Sequence, residues 1–222
     1  MNEYLASVDA LSEELDSIAE ILASLRSDEW SRPTLLVPVE RVPNWTVLEL
    51  AAHLGYAMDM VETLLSEESA SSPALDRASF YDHPRGSLAP LAYRTAADVA
   101  DSKTHAEILD FCLKSFANAL ETARRTDPAF VGWTVIGTIR VDDFIATRVV
   151  EAVVHGFDLT QALDRTATPS AWAVDCAASV MDTLNQRRHG RSRPESLADN
   201  WLWVQVASGR RRHGGFPTPL LS

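Results

Sequence analysis

The chain has 222 residues, of which 46% are hydrophobic and 23% charged, with a formal net charge of −11. That composition excludes a disordered tail and a collagen-like repeat, and the acidic balance argues against general nucleic-acid binding, which needs positive surface. No apolar run approaches the ~18 residues of a transmembrane helix. The start, Met1-Asn2-Glu3-Tyr4, lacks the basic opening of a signal peptide, so a cytoplasmic protein is expected.

Taken in chain order, the hydrophobic pattern is mainly helical. Leu5, Val8, Leu11, Leu15, Ile18, Leu22 and Leu25 recur at three- and four-residue steps and predict an amphipathic helix over 3–26. Residues 28–45 read as loop, broken by Pro33, Pro38 and Pro43. Thr46 followed by Glu49 is a capping box. It opens a second helix whose apolar face is Val47, Leu50, Leu54, Met58, Val61 and Leu65. Residues 66–102 are rich in Ser, Pro and Asp and read as one long connection.

A third helix is expected over 104–125, with Ile108, Leu109, Cys112, Leu113, Phe116, Ala119 and Leu120 inward. Pro128, Gly132 and Gly137 punctuate 126–141, which is either a short hairpin or an irregular loop. A fourth helix, 142–164, is entered through Asp142 or Asp143, and a fifth, 170–187, is capped by Ser170. A short sixth covers 195–207, and residues 214–219 read as an extended tail. Four long helices with one long crossover point to an all-α four-helix bundle. Cys112 and Cys176 form no C-x-x-C pair and read as free buried thiols in a reducing compartment.

The chemistry concentrates in Arg148-Val149-Val150-Glu151-Ala152-Val153-Val154-His155-Gly156-Phe157-Asp158. At about 100° per residue, Arg148, Glu151, His155 and Asp158 fall within roughly 80° of one another. Apolar residues flank that strip, so its helix should be largely buried. Burying Glu and His is costly unless they are paired or bound to metal. Glu151 and His155, spaced i, i+4, can meet one ion from adjacent directions.

A third ligand must come from elsewhere, and His53, on the apolar face of the second helix, is the candidate. Two histidines and one carboxylate leave a coordination position open, as in catalytic zinc sites; nickel or non-haem iron would also accept the set. Asp158 is either an acceptor that orients an imidazole or a surface carboxylate. Arg148 either holds a substrate carboxylate or pairs with Glu151. His83, in the long crossover, either approaches the metal, acts as a base, or is a solvated loop residue. His105, His189 and His213 read as surface.

The charge is uneven. Arg187, Arg188, Arg191, Arg193, Arg210, Arg211 and Arg212 face only Glu195 and Asp199. The stretch nets +5 and leaves −16 for the remainder. It is either a solvated surface or a source of contacts to an anionic ligand.

Asn44-Trp45-Thr46-Val47-Leu48-Glu49-Leu50-Ala51-Ala52-His53-Leu54 resembles the entry block of the DinB/YfiT-like metal-binding bundles. Thr147-Arg148-Val149-Val150-Glu151-Ala152-Val153-Val154-His155-Gly156-Phe157-Asp158-Leu159 resembles the second histidine block of their actinobacterial branch, the mycothiol-dependent maleylpyruvate isomerase N-terminal domain family. The small lysine share, Lys103 and Lys114 among 20 basic residues, suits a GC-rich genome of that kind.

The resemblance spans about 1–165. It implies a DinB-like four-helix bundle over 1–165 and a short helical, Arg-rich C-terminal extension over 166–222. It implies a divalent metal, zinc foremost, on His53, Glu151 and His155, and mycothiol as co-substrate. The implied activity is S-transfer to, or isomerisation of, a small electrophile. A metal-dependent small-molecule hydrolase, or a non-enzymatic ligand-binding or resistance bundle, stands as the alternative. The partners implied are a small-molecule substrate and a low-molecular-weight thiol, for a monomer or homodimer without nucleic acid or membrane.

Overall fold

The computed structural model describes residues 3–34, 45–65, 69–82, 89–214, 216 and 219–221, without the side chains of 89–93. It contains helices α1 (Glu3–Ala23), α2 (Val47–Leu64), α3 (Ala89–Ser102), α4 (His105–Arg125), α5 (Val141–Ala162), α6 (Ala171–His189) and α7 (Asn200–Ala207). Strands β1 (Val131–Thr134) and β2 (Gly137–Arg140) lie between α4 and α5. None of the described helices is long and apolar enough to cross a membrane.

Helices α1, α4, α2 and α5 form the bundle, each packing on the next around a closed ring. The core is the predicted one in its main lines. Leu11, Leu15, Ile18 and Leu22 of α1 meet Leu50, Leu54 and Met58 of α2, Ile108 and Cys112 of α4, and Phe144, Ile145 and Val149 of α5. All are at most 2% exposed, and each large apolar side chain so buried contributes roughly 1.5–3 kcal/mol. Leu5 and Leu113, expected inward, are exposed. The buried stripe of α4 runs through Ile108, Cys112, Ser115, Phe116 and Ala119, and Leu113 lies a quarter-turn outside it.

The expected capping box forms, and a second is present. Thr46 opens α2 with Glu49, and Thr104 opens α4 with Glu107. Ser170 caps α6 as expected, and Gly190 closes it in the left-handed conformation. Helix α5 begins one residue earlier than expected. Arg140 occupies its cap position with no side-chain cap bond, and Asp142 and Asp143 lie in the first turn, where carboxylates favour the helix dipole.

The segment 126–141 holds a hairpin, with Val131 paired to Arg140 and Thr134 to Gly137. Gly132 is required there, since a Cβ would stand 2.3 Å from the Leu64 carbonyl oxygen.

The long connection expected over 66–102 is corrected by α3, which occupies its second half. Its buried residues Ala96 and Ala100 are small, and alanine supplies helix propensity without a strong hydrophobic signal. The short sixth helix resolves into a 3₁₀ turn at Glu195–Leu197 and helix α7, which Asp199 caps. Helix α6 packs on α5 and α1, and α7 on α6. The tail residues Gly215, Pro217 and Thr218, and Pro38, Pro43 and Asn44 of the first loop, lie outside the described residues.

Candidate metal centre

Helices α2 and α5 run antiparallel, because His53 lies against Glu151 while Ala57, one turn on, lies against Arg148. That pairing brings the two halves of the sequence-predicted site together. Nε2 of His53 and Nε2 of His155 lie 3.4 and 3.3 Å from the same atom, Oε2 of Glu151. One ligand atom from each of the three residues falls within 4.8 Å of the others. A tetrahedral ion with ligands at ~2.05 Å separates them by about 3.3 Å. These two spacings match that edge, and both are long for an N–H···O bond. His53 Nδ1 is buried and has no protein partner among the described residues. The donor set and its spacing therefore fit a divalent ion of imidazole and carboxylate preference.

Around this set the neighbours fix each ring. His155 Nδ1 lies 2.9 Å from Asp158 Oδ2, so one of the two roles weighed for Asp158, the imidazole acceptor, matches the geometry. Asp158 is 3% exposed and takes two further bonds from Arg210, Nε to Oδ1 at 3.0 Å and Nη2 to Oδ2 at 2.7 Å. Trp45 is buried against both histidines, its ring centroid 4.7 Å from His53 and 6.0 Å from His155. Its place is set by strand-like bonds between 30–34 and 45–48: Thr34 N–H donates to Trp45 O and Leu48 N–H to Trp30 O. Tyr81 directs its hydroxyl at Thr147 O, 3.1 Å, and Glu151 Oε1, 3.5 Å.

The electrostatics follow. Burial pushes the Glu151 carboxyl upward, but bonds to His155 and His53 outweigh it and hold the group well below the usual carboxylate range. Burial lowers His155, yet Asp158 and Glu151 leave it raised above 6.5. His53 is lowered by burial, only partly opposed by Glu151. Burial, then the Glu151 charge, keeps the Tyr81 phenol protonated well above 10.

Arg148 makes no ion pair with Glu151. It is 5% exposed, donates Nη1 to Ala57 O at 3.0 Å and both Nε and Nη2 to Thr147 Oγ1. Its guanidinium lies 4.5 Å over the Phe144 ring. It is a fixed positive charge beside the site. His83 lies outside the described residues.

The basic tail is largely engaged. Arg187 binds Asp76, Arg188 binds Asp82 and Tyr81 O, Arg193 binds Asn200 and Asp182, and Arg210 binds Asp158. Arg191, Arg211 and Arg212 are exposed. Sequence reasoning missed Tyr81 and the Asp158–Arg210 pair. Phe80-Tyr81, an aromatic pair in a polar stretch, was the available signal for the first. No local pattern signals a pair 52 residues apart.

Compared with known proteins, residues 11–160 match the family model described as the mycothiol maleylpyruvate isomerase N-terminal domain. Among solved structures, a histidine-to-alanine mutant of the mycothiol-dependent maleylpyruvate isomerase superposes with a TM-score of 0.55 at 14% identity. The match covers 81% of this chain and 69% of that one. At that identity the likeness carries the fold. No curated protein matches the chain in sequence.

Proposed function

The chain belongs to the mycothiol maleylpyruvate isomerase N-terminal domain family, and from that premise we propose that it is a metal-dependent enzyme that uses a low-molecular-weight thiol, mycothiol foremost. The reaction is S-transfer to, or isomerisation of, a small electrophilic substrate. One observation carries the reading: two imidazole nitrogens lie 3.4 and 3.3 Å from one carboxylate oxygen, the length of a tetrahedral edge, with all three within 4.8 Å of one another. Three protein ligands leave a position for a thiol.

A divalent metal held by His53, Glu151 and His155, zinc foremost and nickel or iron by the same chemistry, supplies the positive charge that keeps a thiol ionised at neutral pH. The chain's own groups do the rest. Asp158 accepts from His155 Nδ1 and aims the opposite nitrogen at the ligand set. Arg210 holds Asp158 against rotation. Trp45 screens both imidazoles from water, and Arg148 adds a fixed positive charge that favours an anionic reactant. The reading divides the chain into a bundle of 1–165 and an extension of 166–222, and treats the extension as part of the site because Arg210 reaches Asp158.

The test combines metal analysis of the purified protein, calorimetric titration with mycothiol, and turnover of electrophiles with and without it. One equivalent of metal, saturable thiol binding and thiol-dependent turnover are expected. Turnover indifferent to thiol would sink the proposal in favour of metal-assisted hydrolysis. Absence of both metal and thiol affinity would sink it in favour of a non-enzymatic bundle.

A further inference from the structure

The two oxygens of Glu151 have different neighbours. Oε2 faces both imidazoles, and Oε1 faces the Tyr81 hydroxyl. We propose that Tyr81 fixes Glu151 as a one-oxygen ligand, and that Arg188 of α6 is the residue that holds Tyr81 in position. The inference rests on the metal reading above and concerns how this chain shapes that site.

A carboxylate with one oxygen on a metal keeps its second oxygen as a strong acceptor, and without a donor there it can swing to bind through both. Two-oxygen binding would fill the position that a thiol needs. The Tyr81 hydroxyl is the donor the structure provides. It lies 3.1 Å from the carbonyl of Thr147, one turn earlier on the same helix, and 3.5 Å from Glu151 Oε1, so one proton faces two acceptors. The carbonyl is the nearer acceptor, but the carboxylate, being charged, is the stronger one, and the proposal gives it the proton.

Tyr81 does not reach this place by packing alone. It ends the 3₁₀ turn Ser79–Tyr81, whose start is held by Asp76 Oδ1 accepting from the Ala78 and Ser79 N–H groups. Phe80 packs edge-on against Phe144, ring centroids 5.9 Å apart. The end of the turn is gripped by one guanidinium: Arg188 donates Nη2 to Tyr81 O at 2.8 Å, Nε to Asp82 Oδ1 at 2.6 Å and Nη1 to Leu220 O. The C-terminal region therefore approaches the ligand set from two sides, through Arg188 and Tyr81 to Glu151 and through Arg210 and Asp158 to His155.

Cobalt(II) reports coordination number through its visible bands, which are intense in four-coordinate sites and weak in higher ones. The full-length protein, Tyr81→Phe and Arg188→Met are each stripped, loaded with cobalt(II) and compared by absorption and by competition for the ion. In Tyr81→Phe the bands weaken several-fold and affinity falls about tenfold, the size expected for an outer partner. Arg188→Met moves both in the same direction. An unchanged spectrum and affinity in Tyr81→Phe overturns the proposal and leaves Tyr81 a packing residue. An unchanged Arg188→Met beside an altered Tyr81→Phe overturns the part given to Arg188. If Tyr81→Phe does not fold, Arg188→Met decides alone, and bands like those of the parent overturn the proposal. A parent protein that takes up no cobalt overturns the metal reading itself, whereas a normal parent with indifferent variants overturns only this inference.

Discussion

Arg210 and Asp158 form a two-pronged ion pair, at 3.0 and 2.7 Å, across 52 residues of sequence. Asp158 is almost fully buried and its remaining polar neighbour is His155. The pair thus joins the C-terminal segment to a candidate metal ligand.

Removing the cation leaves a buried carboxylate with a weaker partner. Arg210→Ala is expected to destabilise the metal-free protein by about 3 kcal/mol, at the lower end for breaking a buried pair, measured by denaturant unfolding. Asp158→Asn, which keeps the shape and removes the charge, is expected to lower zinc affinity roughly 10–100-fold in chelator competition. Zinc affinity unchanged by Asp158→Asn would remove Asp158 from the site.

The three candidate ligands have a distinct signature. His53→Ala, Glu151→Ala and His155→Ala are each expected to lose more affinity than the roughly 10–100-fold of an outer partner. Dialysed samples should then hold little metal by elemental analysis. His105→Ala, on an exposed ring stacked against Trp30, should keep full content. Full metal in the His53 variant would break the assignment.

Cys112 is buried in the core, donates its thiol to Ala51 O and is pushed up by burial to about 12 from 9.0. The raised value means that folding favours the neutral thiol. Its contribution to stability is intact below pH ~9 and lost as pH rises through about 12. At pH 9 the native thiolate fraction is therefore several hundredfold below that of the unfolded chain. Iodoacetamide should label Cys112 only after denaturant is added. Native labelling at the unfolded rate would contradict the burial.

Two glycines give opposite forecasts. Gly132→Ala places a Cβ 2.3 Å from a backbone oxygen and should cost roughly 1–3 kcal/mol or more through forced backbone movement. Gly156 sits inside α5, and a Cβ there meets only Ile18 at ordinary contact distance, 3.6 Å. Gly156→Ala should stabilise by about 0.5–1 kcal/mol. Thermal melts of both variants in parallel check the pair, and a destabilised Gly156→Ala would show that the α1–α5 seam is tighter than the contact implies.

Much of this was legible in the sequence, for reasons of period. Glu151, His155 and Asp158 share a helix face by spacing alone, and Thr46 and Glu49 announce the start of the helix that carries His53. Helix α3 was not legible, because its buried alanines give almost no contrast between faces. The roles of Tyr81, Arg188 and Arg210 were not legible either. Each depends on a contact between segments far apart in the chain, and such contacts leave no trace in local periodicity. The arginine-rich stretch showed its charge in the sequence but not its carboxylate partners, which lie in the crossover, in α5 and in α6 itself.

His53 and Glu151 are separated by 98 residues, and the arginine that steadies the second histidine's partner lies further on again. During synthesis on the ribosome, the first ligand emerges long before the others and can hold an ion only loosely by itself. The complete set exists only once α5 has left the exit tunnel, and its outer support only after Arg210 has followed. On the proposed metal reading, an ion can be held by the full set only after α5 is made, and more firmly once Arg210 has reached Asp158.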